Sequence, residues 1–333
     1  MKRAILIGFA ATLLLVPFAV LRAQVLYPIL QDGKWGFMDK AGNKVIAPQF
    51  DEVANFSQGL ARARIGGRTG RWGYVNAKGK MAINPQFDEA SDFSEGLARM
   101  MSADVENGKY GYIGKTGKFA ITPQYDEAGN FSELLAAVKI GDHFGYINQS
   151  GGIAINPQFE EAGDFHQGLA RVQIGDKWGF VNRSGKIVMN PQFEDAMDFQ
   201  EGLAPVQLAG KWGYIYRTGA IAINPQFDQV RGFVGGLAAV KIGVAWGYIA
   251  KTGKFAINPQ YDDSGDFAEG LAPVKIAFKW SYADKKGALV ISAQYDQAKS
   301  FQNQLAMVGI GQPDNLCWGW IDKTGTYVWE PAR

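Results

Sequence analysis

Cysteine and histidine are almost missing from this chain: Cys317, His143 and His166 are all it has. A single cysteine excludes an intramolecular disulfide framework and a cysteine-rich zinc module, and two histidines leave little material for a histidine-based metal site. Neither histidine recurs with a fixed Asp or Ser partner. A nucleophile, base and orienting group in one cleft is therefore not expected, and no catalytic, cofactor or metal residue is assigned. A basic excess is missing too. The 34 Lys+Arg stand against 32 Asp+Glu, without the surplus that phosphate contacts require, so no nucleic-acid partner is expected. Long apolar runs are confined to the start of the chain, and no later segment is long and apolar enough to span a bilayer. Hydrophobic residues at 47% with charged residues at 20% exclude a disordered polyelectrolyte.

Glycine is abundant: 42 of 333 residues, nearly twice the roughly 7% average. Turns must be frequent. The first residues read Met-Lys-Arg, then an apolar run from Ala4 to Leu21, then Arg22-Ala23 before Gln24. A positive start, an apolar centre and a small residue before a polar one describe a secretory signal peptide over residues 1–23, a retained anchor being the alternative. No cysteine follows the run, which excludes a lipid-modified amino terminus. The expected mature chain, residues 24–333, loses Lys2, Arg3 and Arg22 and balances 31 basic against 32 acidic residues. It is expected to be exported, periplasmic or secreted, with no membrane span after cleavage.

Self-similarity covers the whole mature chain. An aromatic anchor, usually followed by Gly, recurs every 34 to 38 residues at Trp35, Trp72, Tyr110, Phe144, Trp178, Trp212, Trp246, Trp280 and Trp318. Seven residues after each anchor is a Gly without exception, from Gly42 to Gly325. Thirteen residues after it comes Pro, except for Ala293 in the eighth unit. Units two to nine open at a Leu-Ala and unit one at Leu26-Tyr27; in Leu203-Ala-Pro-Val-Gln-Leu, Ala204, Val206 and Leu208 alternate with Pro205 and Gln207 at the period of a half-buried strand. Trp212 and Tyr214 share a face of the second strand, and the apolar run before Asn-Pro makes a third. Asn182-Arg-Ser-Gly185 and its equivalents fit a type I turn closed by a Gly at positive φ, a hairpin with a bulge. The chain is thus nine three-stranded meanders. Linkers of the form Gln-Phe/Tyr-Asp-Glu-Ala-x-x-Phe-x-x-Gly join them, and their Phe pairs, such as Phe159 with Phe165 and Phe193 with Phe199, are expected where units meet.

Lys-Trp-Gly-Phe/Tyr-Ile/Val-Asp/Asn-x-x-Gly-Lys, followed by Pro-Gln-Phe/Tyr-Asp-x-Ala-x-x-Phe-x-x-Gly-Leu-Ala, resembles the WG-containing repeat family, including its KWG form, over residues 26 to 331. The resemblance implies a repeat protein, little about activity, and a weak similarity to cell-wall-binding repeats. Tyr110, Phe144, Ser281, Ala293, Leu134 and Gln304 depart from the pattern, which puts the local geometry of units three, four and eight in question.

A lone unit of about 23 residues cannot bury enough surface to fold, so stacking must make the core. The expectation is an all-β protein of tandem three-stranded meanders in an open or superhelical array. The alternative is a closed β-propeller, with the linker as a short fourth strand. The short period, the nine units and their whole, unsplit ends favour the open array.

Three recurring surfaces are candidates. Basic residues recur at turns, including Lys40, Lys251 and Lys323, and on the polar face of the first strand at Arg62, Arg64, Arg99, Lys139, Arg171, Lys241 and Lys275. Of these, Arg62, Arg99, Lys139, Arg171, Lys241 and Lys275 are the binding candidates, since a line of positive charge suits an extended anionic or zwitterionic polymer. Acidic pairs such as Asp51-Glu52 and Asp262-Asp263 form an edge that could meet calcium but lacks any specific spacing, so a solvated edge is the better reading. The anchors Trp35, Trp72, Trp178, Trp212, Trp246, Trp280 and Trp318 are read as structural core rather than ligand platforms, because Tyr110 and Phe144 substitute for them. The sequence therefore predicts an exported, non-enzymatic protein with a repetitive binding surface for a cell-envelope polysaccharide or protein partner. The alternatives are a protein–protein scaffold, or an enzyme or inhibitor built on a propeller.

Overall fold

A computed structural model describes residues 25–102 and 108–332; the expected signal peptide lies outside the described residues. Each unit is built as its alternation predicts. In unit six, strands Leu203–Leu208, Lys211–Tyr216 and Ile221–Phe227 run antiparallel, with Leu203 opposite Tyr216 and Trp212 opposite Phe227. The first connection, Ala209-Gly210, has φ of 50° and 73°, the two left-handed residues of a type I′ hairpin. The second turn is held by its first residue: in unit five Asn182 Oδ1 accepts from the amides of Ser184 and Lys186 at 3.0 and 3.1 Å, and Gly185 has φ 81°. Units three and four keep this register, with Tyr110 opposite Tyr125 and Phe144 opposite Phe159.

The glycine after the anchor has a different task. Gly213 is not left-handed, but the third strand passes so close that a Cβ there would stand 2.5 Å from Ile223 O and 2.7 Å from Pro225 N. Unit eight departs from the motif at both sides of this contact. Ser281 replaces the glycine, is fully buried and donates to Val274 O at 3.2 Å, and Ala293 replaces the proline that would crowd it.

Linkers add a short strand in front of the first, as at Glu161–Ala162 and Asp195–Ala196, giving four-stranded sheets in units five to nine. In unit three the strand Met81–Ala90 runs on from unit two, so these units share one seven-stranded sheet. Unit one has three strands, because no linker strand precedes it among the described residues. The linker Phe closes each joint. Phe233 meets Tyr214 edge-on at 5.0 Å, and the Tyr214 hydroxyl donates to Arg231 O at 2.9 Å. Tyr74, Tyr112, Tyr146, Tyr248 and Tyr282 do the same with Phe93, Phe131, Phe165, Phe267 and Phe301. One core cluster therefore takes Trp212 and Tyr214 from unit six, Phe233 from the linker and Val240 and Ile249 from unit seven, so stability is shared between nearest neighbours.

The all-β array of tandem meanders is thus as expected, and among the described residues no strand pairing joins its two ends. The ends nevertheless meet through side chains. Tyr27 packs edge-on against Trp320 with ring centroids 5.0 Å apart, its hydroxyl donates to Asn303 O at 2.6 Å, and Trp320 Nε1 donates to Pro28 O at 2.7 Å. Gly42 of unit one lies against Val328 of unit nine, as Gly185 lies against Ile155 of the unit before it. The array is open in its hydrogen-bonded sheets, as expected, and side-chain packing draws its two ends together into a ring.

Candidate functional site

The first-strand bases belong to the joints. Arg62 Nη1 donates to Ala90 O of the next linker at 2.8 Å and Arg62 Nε pairs with Asp92 at 2.9 Å. Arg99 donates to Ala128 O at 2.6 Å, and Arg171 donates to Ala196 O at 2.7 Å and lies 3.2 Å from Asp198. Lys139 pairs with Glu127 at 2.8 Å. Each also covers its own anchor ring: Arg62 lies over Trp72, Arg99 over Tyr110, Arg171 over Trp178, Lys139 over Phe144, Lys241 over Trp246 and Lys275 over Trp280, at 5.1 to 6.0 Å. The structure places these residues at two repeating positions: Arg62, Arg99 and Arg171, two residues after the opening Leu, turn to the joints, and Lys139, Lys241 and Lys275, four residues after it, lie opposite their anchor rings.

The anchors themselves are packed. Trp212 and Trp246 are buried, and Trp35, Trp72, Trp178, Trp280 and Trp318 are half-buried. The acidic edge is partly paired as well: Asp51, Asp228 and Asp296 meet the lysine before the anchor, Lys34, Lys211 and Lys279, at 2.5 to 2.6 Å. The Lys34 ammonium and the Gly67 and Gly66 amides hold the Asp51 carboxyl down at about 2. Elsewhere burial dominates: it pushes Asp164 up, and the neighbouring Asp198 carboxylate adds to the effect. His166 Nε2 lies 3.5 Å from Asp198 Oδ2.

One face of the ring carries a network that the sequence reading did not anticipate. In six units the residue two before the opening Leu caps the hairpin tip of the next unit: Gln58 Oε1 accepts from Gly96 N at 2.9 Å, Glu133 Oε2 from Gly168 N at 2.8 Å and Gln167 Oε1 from Gly202 N at 3.0 Å, and Glu95, Glu201 and Glu269 do the same. Turn bases fasten these tips from the following unit, Lys251 on Glu201 O at 2.8 Å and Lys323 on Glu269 O at 3.0 Å. Lys40 of unit one reaches Gln304 of unit nine in the same manner. The recurrence of Gln or Glu at Gln58, Glu95, Glu133, Gln167, Glu201 and Glu269 was the available signal.

A second unforeseen feature is apolar. In units three to eight, two residues after the turn glycine, the third strand begins with an outward apolar side chain: Phe119, Ile153, Ile187, Ile221, Phe255 and Leu289 are 40 to 55% exposed. The following residue is exposed as well, as at Val188 and Val290. Equivalent positions in stacked units form a line, so the ring carries an apolar rim.

The model of the family described as WG containing repeat matches residues 35–68, 72–102, 110–142, 144–178, 178–212, 212–243, 246–278 and 280–312. The chain belongs to the WG containing repeat family. Its ninth unit, around Trp318, lies beyond the matched segments and is placed by the structure. Among curated proteins no relative matches. A solved structure described as the crystal structure of the eukaryotic initiation factor is similar with a TM-score of 0.65 and 12% identity, over 92% of this chain and 95% of that one. That likeness shows a shared fold. Dihydro-heme d1 dehydrogenase NirN in complex with DHE has a TM-score of 0.48 at 10% identity, over 91% of this chain and 72% of that one, and nothing is drawn from it. Among the described residues, no helix is long and apolar enough to cross a membrane.

Proposed function

We propose that this WG-repeat protein is an exported, non-enzymatic binding protein whose ring presents one surface many times over to a component of the cell envelope. The observation that carries the reading is the apolar rim, with Phe119, Ile153, Ile187, Ile221, Phe255 and Leu289 at one repeated position. Exposed apolar side chains recurring at one position over six neighbouring units are a feature of protein interfaces. The bases that would face an anionic polymer are engaged: Arg62, Arg99 and Arg171 in joints and Lys139 with Glu127. An envelope protein is therefore favoured over an envelope polysaccharide as the partner. Export rests on the leader read from residues 1–23.

The test places a photo-crosslinking residue at Ile187 or Phe255 in producing cells, beside sedimentation of the pure protein with insoluble peptidoglycan. A discrete protein adduct, lost when Phe119, Ile221 and Leu289 are changed to Ser, supports the reading. Sedimentation with peptidoglycan that survives those changes would move the partner to the polymer, and the absence of both would sink the rim as a binding surface.

A further inference from the structure

The joint between units nine and one differs from the other eight. Tips 57–59 and 302–304 flank it, and no linker tip lies between them among the described residues. Trp320 and Tyr27 take over part of the linker's work. In other units a linker amide donates to the carbonyl two residues after the opening Leu, as Met197 N does to Pro205 O and Gly265 N to Pro273 O. In unit one that carbonyl is Pro28 O, and Trp320 Nε1 donates to it instead. The Tyr27 ring stands against Trp320 where a linker Phe would stand.

What remains is a cavity of about 520 Å³. Its walls are the rings of Tyr27, Phe56 and Trp320, and four amides, Asn55, Gln58, Gln302 and Asn303, converge on it. Asn55 Nδ2 reaches Gln302 Oε1 across the joint at 3.2 Å. None of the described residues lining the cavity is charged, although the adjoining tips carry Glu95, Glu133, Glu201 and Glu269. Its volume falls in the range of small-molecule sites.

We infer that this cavity is a binding site for an uncharged saccharide unit, whose C–H face lies on the half-buried Phe56 ring beside the buried Tyr27–Trp320 pair while its hydroxyl and amide groups bond the four side-chain amides. Asn and Gln amides both donate and accept, which suits hydroxyls. A site without countercharge disfavours an ionised ligand, which would lose hydration without repayment. A peptide strand is the weaker occupant, because Trp320 and Tyr27 already hold the places of the linker amide and its Phe. The inference is independent of the rim and of its partner.

The experiment is a titration of the full chain with N,N′-diacetylchitobiose and with glucuronate. It follows the indole N–H signal of Trp320, assigned by its loss in Trp320→Phe. A saturable shift with the neutral disaccharide is expected, with binding roughly tenfold or more weaker for the charged sugar. The shift should vanish in Ala77→Trp, which blocks the mouth from an exposed turn, and weaken in Gln302→Ala, the check should Ala77→Trp misfold. No saturable shift, equal binding of glucuronate, or a shift unchanged in both variants would overturn the site.

Discussion

Trp320 Nε1 donates to Pro28 O at 2.7 Å across 292 residues of chain, and this bond stands where a backbone amide serves in units two to nine. The joint therefore carries an indole at the position that holds Phe or Tyr in every other unit. Trp320→Phe keeps an aromatic ring but removes the donor and leaves Pro28 O without it. It should cost about 1 to 3 kcal/mol. Chemical unfolding, with small-angle scattering of the folded variant, checks this: a wild-type curve would deny that the bond holds the ends together.

The anchor glycine and the proline above it should be coupled. Gly213→Ala places a Cβ 2.5 Å from Ile223 O and 2.7 Å from Pro225 N, so a loss of about 1 to 3 kcal/mol is expected. Pro225→Ala in the same chain should restore part of it, following Ser281 with Ala293. A double-mutant cycle without interaction energy would separate the two substitutions in unit eight.

Gly185 faces two demands. Its φ is 81° and a Cβ would lie 2.9 Å from Ile155 Cγ2 of the preceding unit. Gly185→Val should lose at least about 1 to 3 kcal/mol from backbone strain alone. Gly210→Ala, at φ 73° with nothing near the added atom, should lose less, and equal losses would remove the inter-unit contact from the explanation.

Trp212 is 8% exposed within the cluster joining units six and seven. Trp212→Ala should cost about 3 to 5 kcal/mol, whereas Trp212→Tyr should be mild, since Tyr110 holds the same register. Unchanged melting of Trp212→Ala would return the anchors to the ligand-platform reading.

Acid should remove a stabilising contribution of Asp51. Its carboxyl is lowered from 3.8 to about 2 in the fold, so the stability it adds is present above pH 3.8 and lost as pH falls toward 2. Asp164 is raised by burial and by Asp198, so its ionised form opposes folding, and its favourable term is present at low pH and lost as pH rises through its folded value. Asp51→Asn should flatten the acid limb of a melting-temperature profile, and Asp164→Asn should raise melting at neutral pH. The opposite signs would refute both assignments.

The sequence by itself determined the unit. Period-two alternation, a turn glycine seven residues after every anchor and a linker Phe are local patterns, and Leu203–Leu208, Lys211–Tyr216 and Ile221–Phe227 follow from them. It also placed the Phe pairs at the joints, because an apolar residue in a polar linker has nowhere else to be buried. Tertiary structure alone decided how the bases are spent: Arg62 and Arg171 alternate like solvent-facing residues, yet the next linker's carbonyls lie within reach only after stacking. It decided the ring as well. Nine small rotations between neighbours must sum before Tyr27 meets Trp320, and no pattern within one unit encodes that sum. The seam cavity lies where, among the described residues, two neighbouring units are joined without a linker.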